Sequence, residues 1–124
     1  VYGLDGLDEI SISGPTMVGE LAKGEINEYN LHPGELGLEL YDRRAIEVHT
    51  VAESKAMIQA VLEGQPGPAQ NIVALNAGAA IYVAGVAKTL KAGIERAAHA
   101  IRSGAAKQKL EEFVAFTQKV KAKA

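Results

Sequence analysis

Apolar and polar positions change their period once along this chain, near residue 50, and the change divides a strand-like half from a helical one. Ile10 and Ile12 alternate with Ser11 and Ser13, the period of two expected of a short half-buried strand, and Gly14-Pro15 ends it. Met17-Val18-Gly19-Glu20-Leu21 and Ile26 to Leu31 flank Lys23-Gly24, a turn-like pair, which predicts a β-hairpin. Pro33-Gly34 breaks the second strand, and Glu35-Leu36-Gly37-Leu38 follows as one helical turn or a tight loop.

Beyond residue 50 the period becomes helical. Thr50 with Glu53 fits a capping box, and Val51, Ile58, Val61 and Leu62 share one face of a helix that stops at Gly64. Gly64-Gln65-Pro66-Gly67-Pro68 is a loop, with Pro68 suited to a first helical position. The next helix, Ala69 to Gly85, is apolar on nearly every face and must be covered all round. Its small residues Ala77, Gly78, Ala79, Ala80 and Gly85 let neighbouring backbones approach closely. Leu90, Ile94, Ala97, Ala98 and Ile101 mark a third helix, ending near Gly104. Ala106, Leu110, Phe113, Val114 and Thr117 mark a fourth, with Glu111, Glu112 and lysines outside. The hairpin and the short N-terminal strand cannot alone cover an all-apolar helix. The pattern therefore predicts a fragment, whose missing cover lies in an upstream segment or another chain. Val1 in place of an initiating Met points the same way.

At 124 residues the chain is one domain at most, and 48% hydrophobic with 23% charged residues is a globular balance. A net charge of −2 argues against a nucleic-acid surface, and Asp42-Arg43-Arg44 is too short and too mixed in sign to alter that. Lys119, Lys121 and Lys123 suit a solvated helix C-terminus. With no cysteine, disulfides and thiolate metal sites are excluded, and with no basic-then-apolar leader the expected location is cytoplasmic. The uncharged stretch from Gly64 to Ala87 is broken by Pro66 and Pro68. Its apolar remainder falls short of the about 20 residues of a spanning helix, so it reads as a buried core helix and no membrane partner is expected.

The residues with most chemical promise are Asp8 and Glu9. In a loop beside a strand end, adjacent carboxylates converge on one site and suit Mg²⁺, which favours few carboxylates together with waters and phosphate oxygens. Taken alone, the dipeptide reads first as two ordinary acids of a solvated loop, and Asp5 reads as a surface acid. His32, His49 and His99 are too far apart in sequence for a zinc site, with His99 partly exposed between Arg96 and Arg102. No glycine-rich phosphate cradle is visible, since the prolines of the 64–68 loop remove backbone donors. Asn76 reads first as a buried packing amide with satisfied partners, the alternative being a group that hydrogen-bonds a loop backbone and orients the active-site face. No Ser-His-Asp or Cys-His arrangement offers a catalytic residue, and catalytic positions stay unassigned.

Several segments taken in order resemble the anthranilate phosphoribosyltransferase family: Val1-Tyr2-Gly3 through Gly6-Leu7-Asp8-Glu9-Ile10-Ser11, Gly14-Pro15-Thr16, Gly24-Glu25-Ile26, His32-Pro33-Gly34-Glu35-Leu36-Gly37-Leu38, Val61-Leu62-Glu63-Gly64, Asn71 to Gly78, and Ile101 to Ala106. Tyr2 stands where the family often has His, and Leu36 where Phe is usual. The resemblance implies an α/β fold, the C-terminal portion of a large domain of the phosphoribosyltransferase and nucleoside-phosphorylase kind. Residues 1–50 would form its strands and hairpin and 51–124 its helical tail. It implies transfer of phosphoribosyl from phosphoribosyl pyrophosphate to anthranilate in tryptophan biosynthesis, by a homodimer, with Asp8 and Glu9 holding Mg²⁺ against the pyrophosphate. The family's Gly-Thr-Gly-Gly-Asp phosphate loop and its anthranilate-reading arginine would lie upstream, so no substrate-binding residue is carried over and the segment alone is expected to be inactive. The alternatives are a non-catalytic relative that binds nucleic acid or protein, and a sister nucleoside phosphorylase.

Overall fold

A computed structural model of the chain describes residues 1–121. A small antiparallel sheet, β1 (Tyr2–Gly3), β2 (Thr16–Ala22) and β3 (Glu25–Leu31) in that order, precedes α1 (Val51–Leu62), α2 (Pro68–Val83), α3 (Leu90–Arg102) and α4 (Ala105–Lys121). The fold is α/β, as expected from the pattern and the resemblance. Of the three lysines expected at the helix end, Lys119 and Lys121 lie in α4, and Lys123 is outside the described residues.

The hairpin forms where the sequence places it. Thr16 pairs with Leu31 and Ala22 with Glu25, and Lys23 and Gly24 both take positive φ (54° and 84°), the left-handed pair of a two-residue turn that follows the strand twist. After β3 the chain makes a single 3₁₀ turn, Pro33–Leu36. His32 caps it by accepting from Gly34 N through Nδ1 at 3.2 Å, so this histidine is a structural cap. A second 3₁₀ turn, Arg43–Ile46, is capped by Asp42, whose carboxylate also pairs with Arg44 at 2.6 Å. The expected capping box opens α1: Thr50 Oγ1 accepts from Glu53 N at 3.1 Å, and Glu53 Oε2 accepts from Thr50 N at 3.0 Å.

The expectation for Ile10 to Ser13 fails. No strand forms there; the first strand is Tyr2–Gly3, paired with Met17 and Thr16. Ile10, Ser11 and Ile12 are all buried, so the alternation does not separate an inner from an outer face. The cause is local. Ser11 N donates to Thr16 Oγ1 at 2.9 Å and Ser13 N to Ser11 Oγ at 3.0 Å, and these side-chain bonds take the place of a sheet ladder.

Two apolar clusters make the core. Ile10, Ile12, Leu31, Ile72, Leu75 and Ile94 join the loop and hairpin to α2 and α3; Val61, Ala74, Ala97 and Ile101 join α1 to the same pair. The close approach expected of α2's small residues occurs against α3: a Cβ on Gly78 would stand 2.6 Å from Ile94 Cα, and one on Gly93 would collide with the Gly78 carbonyl. A second tie joins the hairpin to α2, where Glu20 accepts from Tyr82 OH at 2.6 Å and from Tyr29 OH at 3.1 Å. Cover of α2 is one-sided among the described residues, with Val73 and Val83 exposed. The apolar face of α4 (Leu110, Phe113, Val114) is likewise exposed. No helix among the described residues is long and apolar enough to cross a membrane.

Candidate metal site

The β1–β2 connection carries Asp8 and Glu9, in a bend rather than at a strand end, and both residues are exposed. It begins with a tight turn in which Gly3 N donates to Leu7 O and Gly6 N to Gly3 O, each at 2.9 Å. Gly3 has no room for a side chain, since a Cβ there would lie 2.6 Å from Asp5 Oδ1.

Asp5 is the hub of this loop, which corrects its reading as a surface acid. Its carboxylate accepts from Ser11 Oγ at 2.5 Å, from Ser13 Oγ, and from Leu7 N at 3.2 Å. Burial pulls the Asp5 carboxyl upward, but these donors outweigh it and hold the group below its ordinary value. The signal available in the sequence was Asp5 followed by two hydroxyls at Ser11 and Ser13, a set able to close on itself.

Asn76 of α2 holds the other side of the loop. Its Oδ1 accepts from Ile10 N at 2.9 Å, and its Nδ2 donates to Ile10 O at 2.9 Å and to Ile72 O at 3.1 Å. The side chain is thus satisfied and also holds a loop backbone, so both readings of this residue apply.

Asp8 and Glu9 lie between the two anchors, and among the described residues neither carboxylate accepts a hydrogen bond or an ion pair. Glu9 also lines a cleft of about 250 Å³ with Ile46, Met57, Val61, Ile72 and Val73. Partial desolvation, and then the negative charge of Asp8, pushes the Glu9 carboxyl above its ordinary value, although the residue as a whole is exposed. A cation beside the pair would relieve that repulsion.

Among the described residues no group of three His, Cys, Asp or Glu side chains could enclose a metal ion. The donor set at this loop is two adjacent, accessible carboxylates with open space beside them. That fits Mg²⁺ shared with phosphate oxygens and waters, and it fits neither a closed zinc site nor an all-protein calcium cage. His49 and His99 are exposed.

The comparisons with known proteins agree on the family of this α/β chain. Residues 1–107 match the glycosyl transferase family, a/b domain, and the chain belongs to that family. Within it, the resemblance to anthranilate phosphoribosyltransferases holds along nearly the whole chain. The chain is 53% identical over 122 residues to the anthranilate phosphoribosyltransferase of Acidovorax sp. (strain JS42), covering 98% of this chain and 36% of the relative. The enzyme of that name from Thermus thermophilus has the same fold at a TM-score of 0.83 and 36% identity, over 92% of this chain and 34% of its own. The Saccharomyces cerevisiae enzyme, solved in complex with PRPP and Mg, matches at a TM-score of 0.79 and 26% identity, over 90% of this chain and 32% of its own. The chain therefore spans about a third of the length of the relatives it matches.

Proposed function

We propose that this chain is the part of an anthranilate phosphoribosyltransferase that presents a Mg²⁺-binding carboxylate pair, Asp8 and Glu9, to the pyrophosphate of phosphoribosyl pyrophosphate. The observation that carries the reading is the pair itself, two unpartnered carboxylates on a loop fixed at both sides. Its support from relatives is the similarity to the yeast enzyme solved with PRPP and Mg. In the reaction the amine nitrogen of anthranilate bonds to the anomeric carbon, the bond from that carbon to pyrophosphate breaks, and the amine gives up a proton. Bound Mg²⁺ would neutralise the charge that grows on the departing pyrophosphate. The chain's own residues supply position: Asp5, through Ser11 and Ser13, keeps the loop compact, so that Asp8 and Glu9 meet the substrate with little reorganisation. By the same resemblance the protein acts as a homodimer in the cytoplasm, in tryptophan biosynthesis.

The test is product formation by the full-length protein carrying this sequence. With phosphoribosyl pyrophosphate, anthranilate and Mg²⁺ it forms phosphoribosyl anthranilate, and chelation of the metal abolishes turnover. Phosphorolysis of a nucleoside with no turnover of anthranilate would instead identify a nucleoside phosphorylase.

A further inference from the structure

We infer that Asn76 is a positioning residue for the acidic pair, an inference that rests on the reading of Asp8 and Glu9 just proposed. The Ile10 N–H belongs to the peptide that joins Glu9 to Ile10. Asn76 grips it at 2.9 Å and the Ile10 carbonyl at 2.9 Å, a two-point pairing like that of one residue in an antiparallel ladder. That grip fixes the peptide plane on the C-terminal side of Glu9. The third bond, from Nδ2 to Ile72 O at 3.1 Å, fixes the carboxamide on its own helix. The loop's other anchors are Asp5 with Ser11 and Ser13 inside it, Thr16 Oγ1 accepting from Ser11 N, and Tyr41 N donating to Ile12 O at 3.1 Å. Asn76 reaches it from outside, across 66 positions of sequence, and ties the acidic pair to the helix at the centre of the core.

Loss of this grip leaves both carboxylates in place and frees the backbone that aims them. The effect expected is on metal use, because residues that orient metal ligands commonly change metal affinity by about 10–100-fold when altered. In the full-length protein, Asn76→Ala raises the Mg²⁺ concentration for half-maximal turnover by about tenfold. Asn76→Asp does the same at unchanged volume, since a carboxylate offers no donor to Ile10 O or Ile72 O. Ile101→Ala, in the separate core cluster at the far end of α3, lowers the melting temperature and leaves the Mg²⁺ midpoint where it was. If the Asn76 variants shift the Mg²⁺ midpoint no more than Ile101→Ala does, the role is packing alone and the inference fails.

Asp8→Asn, assayed alongside, separates this failure from that of the underlying reading. A shifted midpoint for Asp8→Asn with none for Asn76 overturns only the positioning role, and no shift in either overturns both. If neither Asn76 variant folds, hydrogen exchange on the unaltered protein decides. Slower exchange of the Ile10 amide when Mg²⁺ and phosphoribosyl pyrophosphate are added supports the coupling, and an unchanged rate overturns it.

Discussion

Asp5 and Glu9 sit in one loop, four positions apart, and their environments move them in opposite directions. Glu9 is raised by partial desolvation and by Asp8, so its ionised form is disfavoured in the fold. Asp5 is partly desolvated too, but three donors favour its ionised form. The linkage therefore has two signs. Asp5 contributes stability above its unfolded value, near 3.8, and loses it as pH falls through the lower folded value. Glu9 binds its proton more tightly in the fold, so its contribution is present below the ordinary 4.5 and is lost as pH rises through the higher folded value. In urea unfolding of the full-length protein without metal, Asp5→Asn should lower stability at neutral pH and flatten its fall below about pH 4. Glu9→Gln should raise stability at neutral pH and change little in acid. A Glu9→Gln variant that is less stable at neutral pH would show the carboxylate to be held by the fold rather than strained by it.

Among the elements, α2 organises the rest. Gly78 lets α3 approach until a methyl group would strike the Ile94 backbone, Tyr82 holds Glu20 of the hairpin, and Asn76 holds the acidic loop. Gly78→Ala has nowhere to put its methyl except by separating the two helices. It should cost about 1–3 kcal/mol, read as a lower midpoint in denaturant. Retention of wild-type stability would mean that α3 is free to move away. The helices were legible because each signal is local. Thr50 with Glu53 starts α1, Pro68 starts α2, and Leu90, Ile94, Ala97 and Ile101 repeat along α3. Gly93 was not, since a glycine inside a helical pattern acquires meaning only from the backbone that crosses it. The loop from Leu4 to Pro15 misled in another way: Ile10 and Ile12 have the spacing of a strand, but the chain there is held by Asp5, Thr16 and Asn76, two of them outside the pattern and one 66 positions away. Asp8 and Glu9 stood out by type; the local sign of what fixes the loop was Asp5 with Ser11 and Ser13, and nothing near them pointed to Asn76.

At the scale of the whole molecule, the acidic pair is the exposed end of a continuous support: carboxylates, loop, Asn76, α2, and the core beneath. The apolar side chains left exposed at Val73, Val83 and Phe113 belong to the same chain, which spans about a third of the length of its relatives. The role of the loop is decided by calorimetry of phosphoribosyl pyrophosphate binding to the full-length protein, with and without Mg²⁺. Mg²⁺ should strengthen binding in the unaltered protein, and in Asp8→Asn the Mg²⁺-dependent gain should fall by about tenfold or more with folding intact. Binding by Asp8→Asn that Mg²⁺ strengthens as much as in the unaltered protein would contradict that role and remove Asp8 from the metal site.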